Sequence, residues 1–291
     1  MHRQPPTAPK IPPMAVETTT WTFVHHGRSV SIAGVRSAKT ADQRGSPKPV
    51  LLFEHSWNIP PLPDYRELLD ALDQRFHVVG LTKNGLNNLR GMEPRTIAGH
   101  AELTISFCRW LLMSKTASSL SILGHSLGFA TAYAAMSEVS GNVRSLIGVA
   151  PLLPGNHSIK AFVYRFLAMS VGMGALRTTG LAGQHYFWTS GPRFIGRVLR
   201  NPLASLSLVA DMARVRFDDV VQVPTLIIAP YSDELVPRDV DRDSGIHEIF
   251  PQLEWHLMED PSHRHSLPLF HGRRVAAIVA EHFRRVMRTT T

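Results

Sequence analysis

Gly124-His125-Ser126-Leu127-Gly128 is the segment whose residue types and spacing carry the most chemistry. A serine with glycine two places to either side suits a tight strand-to-helix turn. There the hydroxyl is held above the sheet edge on strained backbone, and the small flanking residues let strand and helix approach without Cβ clashes. The amides at the start of the following helix point at the same place, where they can stabilise a developing oxyanion. The bland alternative is an ordinary serine cap after a strand. The neighbours argue against it, because SLSIL precedes the segment and an Ala-rich helical stretch follows it. A hydroxyl at neutral pH is a weak nucleophile and needs an adjacent base, for which the chain offers 15 histidines. Thiol chemistry is set aside: the single cysteine, Cys108, falls in an apolar helical pattern and reads as buried and inert.

The elements that must hold such a turn are legible as an alternation. TWTFV (20–24) and SVSIAGVR (29–36) flank a His-Gly turn and alternate like strands. PVLLFEH (49–55) is a continuous apolar run suited to a buried parallel strand. A helix should follow from Asp64, with Glu67 three places on and Tyr65, Leu68, Leu69, Leu72 and Phe76 at helical spacing. HVVGLTK (77–83) is a strand and 96–114 a helix with Ile97, Ala101, Ile105, Cys108 and Leu112 on one face. SLSILGH (119–125) runs straight into the helix after Ser126, and VRSLIGVAP (143–151), PTLIIAPYSD (224–233) and EWHLMED (254–260) supply three more strands. A last amphipathic helix carries Val275, Ile278, Val279, His282, Phe283 and Val286 on its inner stripe. The fold class is therefore α/β, a mainly parallel eight-stranded sheet with helices on both faces.

Residues 155–222 interrupt that alternation with two helical stretches joined by TTGLAGQHYFWTSGP. A structureless loop of that length would be unusual, so a small helical cap is expected. The expected division is a proline-rich tail over 1–18, core over 19–154, cap over 155–222 and core again over 223–291. The tail lacks the apolar heart of a signal peptide and no run is long enough to span a membrane, so a cytoplasmic protein is expected. The formal charge of +8 raises nucleic-acid binding, but long basic clusters and recognisable motifs are missing. From Val139 to Ala210 there is no Asp or Glu, while Arg144, Lys160, Arg165, Arg177, Arg193, Arg197 and Arg200 all lie there. Such a one-signed stretch either attracts anionic substrates and membrane surfaces or is a solvated face balanced elsewhere.

Over approximately residues 20–287 the chain resembles a capped, esterase- or lipase-like member of the α/β-hydrolase superfamily, on GHSLG, the strand order, the cap after the sixth strand, and the elements that follow. The resemblance implies a triad running serine, acid, histidine along the chain. Ser126 is the expected nucleophile and Asp233, just past an apolar strand in TLIIAPYSDELVP, the expected acid. LMEDPSH brings His263 into a loop after the last strand as the expected base. His265 in HRHS is its rival, while His271 and His282 read as structural. The amides of Leu127 and Trp57 are the expected oxyanion donors, and His55, Ser56 and His125 the expected substrate-binding residues. His55-Ser56-Trp57 departs from the family's His-Gly at Ser56; a requirement for positive φ there would strain it. TKNGLNNLRG keeps Gly85 but lacks the usual aspartate before it.

The implied reaction is two-step hydrolysis of a carboxylic ester, with an acyl or lipid-like substrate suited to an apolar, basic cap. Thioester hydrolysis, amide cleavage and acyl transfer use the same residues and stay open. A non-catalytic ligand-binding member is the reading from a different class. No metal or organic cofactor is expected, and His25-His26 reads as a surface turn rather than a zinc site. The expected partners are a small ester or acyl molecule and, at most, an anionic membrane surface. Neither nucleic acid nor an obligate protein partner is expected.

Overall fold

The computed structural model describes residues 15–57, 64–83, 94–154, 196, 199, 202–231, 233, 245–259, 265 and 267–289. Eight strands form one sheet: β1 (Val16–His25), β2 (Arg28–Ser37), β3 (Val50–Glu54), β4 (His77–Leu81), β5 (Leu120–His125), β6 (Val143–Val149), β7 (Thr225–Pro230) and β8 (Leu253–Met258). Their spatial order is β1-β2-β4-β3-β5-β6-β7-β8. β1 pairs antiparallel with β2, and β2 antiparallel with β4; every pairing from β4 to β8 is parallel. His26 and Gly27 both take positive φ, 48° and 72°, which matches the twist of a two-residue hairpin between β1 and β2.

Helices cover both faces, as strands buried on both sides require. β3 shows why: Val50 and Leu52 enter one apolar core, whereas Leu51 and Phe53 enter the other. The first core includes residues of α2 (Ile97–Met113) and α3 (Leu127–Val139), the second residues of α1 (Arg66–Asp73) and the long C-terminal helix (Gly272–Thr289). Each fully buried leucine or phenylalanine in these strands contributes about 1.5–3 kcal/mol relative to exposure. The other described helices are α4 (Pro202–Met212), α5 (Gly245–Ile249) and α6 (Leu267–Phe270), which makes the C-terminal helix α7.

Two local expectations are corrected. α1 starts at Arg66 with Tyr65 as its cap residue, which makes no side-chain cap bond, so the helix begins one residue later than a cap at Asp64 would place it. On α2, Ile105 and Leu112 are only partly buried, while Leu103, Phe107 and Leu111 take the deepest positions. Thr96 caps α2 by accepting the Gly99 amide at 3.0 Å. Most of the expected cap lies outside the described residues. Of its C-terminal part, Leu208, Val209, Met212 and Phe217 join the core on the α2/α3 face, and the Asp211 carboxylate accepts the Ile97 amide at 2.6 Å. Among the described residues no helix is long and apolar enough to cross a membrane.

Candidate active site

Ser126 stands between β5 and α3 with φ 53° and ψ −120°, a conformation that costs a residue bearing a Cβ about 1–3 kcal/mol. The bend is over-determined by its surroundings. The Ser126 amide donates to the Val149 carbonyl at 3.2 Å, and the Ser126 carbonyl accepts the amides of Phe129 and Leu152 at 3.0 and 3.2 Å. The flanking glycines are there for lack of room. A Cβ on Gly124 would lie 2.4 Å from the Phe129 nitrogen, and one on Gly128 would lie 2.1 Å from the Glu54 carbonyl oxygen. The cramped turn expected around GHSLG is present.

The imidazole that meets this hydroxyl is that of His265. Its Nε2 is 2.9 Å from Ser126 Oγ and its Nδ1 is 2.9 Å from Asp233 Oδ2. A carboxylate accepts the Nδ1 proton, which leaves Nε2 free to accept the serine proton. His263, expected in this place, lies outside the described residues, and the position next to the serine is filled two residues later. Asp233 follows β7 as expected, and its side chain is 7% exposed against 5% for His265. Ser126, Asp233 and His265 thus come from the C-terminal ends of three parallel strands, where open α/β sheets place ligands.

His55, Ser56 and His125, expected to touch substrate, are buried and hydrogen-bonded within the protein. His55 Nε2 accepts the Lys83 amide at 3.0 Å, so its Nδ1 carries the proton that it donates to the Ser56 carbonyl at 2.6 Å. The Ser56 amide donates to the Tyr65 hydroxyl at 3.2 Å, and Ser56 is not among the residues with positive φ, so the serine in place of glycine is accommodated without left-handed backbone. His125 is 1% exposed and bonds Tyr65 through Nδ1 and the His265 carbonyl through Nε2. Burial holds its pKa well below the ordinary imidazole value. Of the expected oxyanion donors, Leu127 opens α3 and Trp57 is packed into the core beside the β3 exit.

Beneath the loop that follows β3 lies a buried ion pair that the sequence did not announce. Lys83 Nζ contacts the Glu54 carboxylate and donates to Thr104 Oγ1 at 2.5 Å, while the Thr104 hydroxyl donates to Glu54 Oε1 at 3.0 Å. Glu54 is 1% and Lys83 7% exposed, and breaking one partner would strand a buried charge. Burial, helped by the Lys83 charge, lowers the neighbouring His100 pKa to about 3. The available signal was two opposite charges at the same ends of adjacent apolar strands, Glu54 in LLFEH and Lys83 in VVGLTK.

The remaining groups of interest read plainly. Cys108 is fully buried and its thiol is pushed up to about 12, in keeping with an inert role. His25 is not at the surface as expected: it is 4% exposed and bonds Ser106 Oγ at 2.9 Å, while His26 pairs with Glu102 outside it. No cluster of three His, Cys, Asp or Glu side chains among the described residues is arranged to hold a metal ion.

The sheet order, the helices on both faces and the bend at Ser126 together define the α/β-hydrolase fold. Solved structures share it along nearly their whole length. An esterase from Thermogutta terrifontis is 18% identical with a TM-score of 0.64, covering 93% of this chain and 99% of its own. A bromoperoxidase from Bacillus anthracis is 16% identical with a TM-score of 0.68, covering 91% and 100%. A 2-hydroxy-6-oxo-6-phenylhexa-2,4-dienoate hydrolase from Rhodococcus is 14% identical with a TM-score of 0.67, covering 92% and 99%. No family model matches the chain, and no curated protein does.

Proposed function

We propose that the protein is a serine hydrolase that cleaves a carboxylic ester through an acyl-enzyme on Ser126. The observation that carries this reading is the continuous line from Ser126 Oγ through the His265 ring to Asp233 Oδ2, with 2.9 Å at each contact. His265 Nε2 takes the hydroxyl proton as Ser126 Oγ bonds to the ester carbonyl carbon. The Leu127 amide, at the first position of α3 where no intrahelical acceptor exists, and the Trp57 amide stabilise the oxyanion. The imidazolium, held by Asp233, returns the proton to the departing alcohol as the C–O bond breaks. Water then attacks the acyl-enzyme, passing a proton to His265 and from there to Ser126, and the carboxylic acid leaves.

The structural neighbours include an esterase, a dienoate hydrolase and an epoxide hydrolase by name, and they support a hydrolytic reading on this fold without choosing the bond. Thioesters, amides and acyl transfer to an alcohol employ the same groups. An acyl substrate with an anionic head is favoured by the carboxylate-free stretch from Val139 to Ala210. Labelling with a fluorophosphonate probe tests the central claim. The wild type should react, while Ser126→Ala and His265→Ala should not; an unreactive wild type would overturn it. Turnover of p-nitrophenyl esters of increasing chain length then ranks acyl groups, and a strong preference for acetate would count against a lipid-like substrate.

A further inference from the structure

We infer that Tyr65 and His125 form a strut that positions His265 by bracing its backbone against the loop bearing Ser56 and Trp57. The inference rests on the serine-hydrolase reading of the site and deepens it, because it makes Tyr65 and His125 positioning residues for the reaction at Ser126.

The strut is a line of three hydrogen bonds with one possible direction. The Ser56 amide can only donate, so the Tyr65 hydroxyl accepts it at 3.2 Å. At the other end the His265 carbonyl can only accept, so His125 Nε2 carries a proton and donates it at 3.0 Å. His125 Nδ1 is then the bare nitrogen, and the Tyr65 hydroxyl donates its proton there at 2.6 Å. All four residues are buried: Ser56 is 7%, Tyr65 0%, His125 1% and His265 4% exposed. Burial also keeps the His125 ring neutral, which preserves the one tautomer the line needs.

The placement gives the strut its use. The His265 ring is held by Ser126 and Asp233, but a ring held only at its tip can swing with its backbone. His125 holds that backbone from the residue immediately before the nucleophile. Tyr65, from the turn before α1, passes the same constraint to the Ser56 amide, one peptide from the Trp57 amide. The base and the second oxyanion donor therefore share one internal brace, and a break in it leaves buried donors and acceptors unpaired. Displacements of about 1 Å in such sites cost about a hundredfold in rate.

The experiment compares the full-length wild type with Tyr65→Phe, His125→Ala and His125→Gln. The readouts are kcat and KM for a p-nitrophenyl ester, the fluorophosphonate labelling rate, thermal midpoints, and the strongly deshielded proton of the His265–Asp233 bond by NMR. Tyr65→Phe keeps the ring and should lower kcat about tenfold, and His125→Ala about a hundredfold, each with KM within about twofold. His125→Gln retains an N–H that can reach the His265 carbonyl and should recover most of the loss. Wild-type kcat and labelling in both Tyr65→Phe and His125→Ala would overturn the strut, as would a folded His125→Gln no better than His125→Ala. A wild type that does not label refutes the hydrolase reading instead. The NMR signal then decides: loss in Tyr65→Phe and His125→Ala with retention in His125→Gln supports the strut, and no change in any variant overturns it.

Discussion

The molecule contains a second serine–histidine–carboxylate line, and the two are nearly superposable in distance. Ser145 Oγ is 2.8 Å from His282 Nε2, whose Nδ1 is 2.8 Å from Glu254 Oε2; the corresponding contacts of Ser126, His265 and Asp233 are both 2.9 Å. What differs is the backbone beneath each serine. Ser145 is the third residue of β6, on strand backbone paired with Ser121 just past a register shift in the parallel ladder, and the next amide, that of Leu146, donates to the Pro224 carbonyl at 3.0 Å. Ser126 sits on positive φ with a helix N-terminus starting at the next residue. The carboxylates differ too. Glu254 shares its charge with Arg285; burial raises its pKa, but the Arg285 and His282 contacts outweigh this and leave it lowered. Serine–imidazole–carboxylate distances alone therefore do not define a hydrolytic site. The pairing becomes chemically useful where the serine's own backbone opens a place for an oxyanion.

Substitutions in matched pairs can break that contrast. The largest effect expected is from Ser126→Ala, which should lower kcat about ten-thousandfold or more, while Ser145→Ala should leave kcat within about twofold, both read as initial rates of ester hydrolysis. Comparable losses from the two would mean the backbone distinction is wrong. Asp233→Asn should cost about a thousandfold or more, since an amide no longer fixes the proton on His265 Nδ1, whereas Glu254→Gln should act on stability alone. His282→Ala should destabilise the fold by about 2–4 kcal/mol in denaturant titrations, because it opens space and strands the Ser145 hydroxyl in the core. A smaller effect is expected of pH. Burial lowers the pKa of His282, His125 and His100 below the ordinary 6.5, so below that pH the unfolded chain binds more protons than the folded one. The thermal midpoint should therefore fall as pH drops below about 6.5, and His282→Gln should flatten part of that slope. Arg285→Ala, at an exposed pair, should cost about 1 kcal/mol at most.

The serine bend was legible because it is a local event: the glycines, the strand before and the helix after all lie within a few residues. Asp233 was legible for the same reason, as the acid just past an apolar strand. His263 was preferred to its rival His265 because the stretch between β8 and α6 has no periodicity to fix its register and offers two histidines of equal chemistry; the ring that meets Ser126 and Asp233 is that of His265. Tyr65 was read as one apolar position of a helix; it is buried as that reading implies but caps α1 rather than lying within it, and its hydroxyl bonds a ring 60 positions away. His125 was expected to bind substrate, and no pattern in the sequence announces that its ring bonds the Tyr65 hydroxyl and the His265 carbonyl. The Glu54–Lys83 pair escaped because buried charges in strands are costly and so are not expected until their partners are seen. The inner stripe of α7 did include His282, and its structural reading holds.

Gly128 leaves the front of α3 lying flat on the last peptide of β3, with the Glu54 carbonyl where a methyl group would be. The proposed nucleophile and the proposed oxyanion loop are thus gauged against each other by bare main chain, like two machined faces with no shim between them. A single added carbon there would act as a wedge, parting the two halves of the site while leaving each proton-handling group in the sequence untouched.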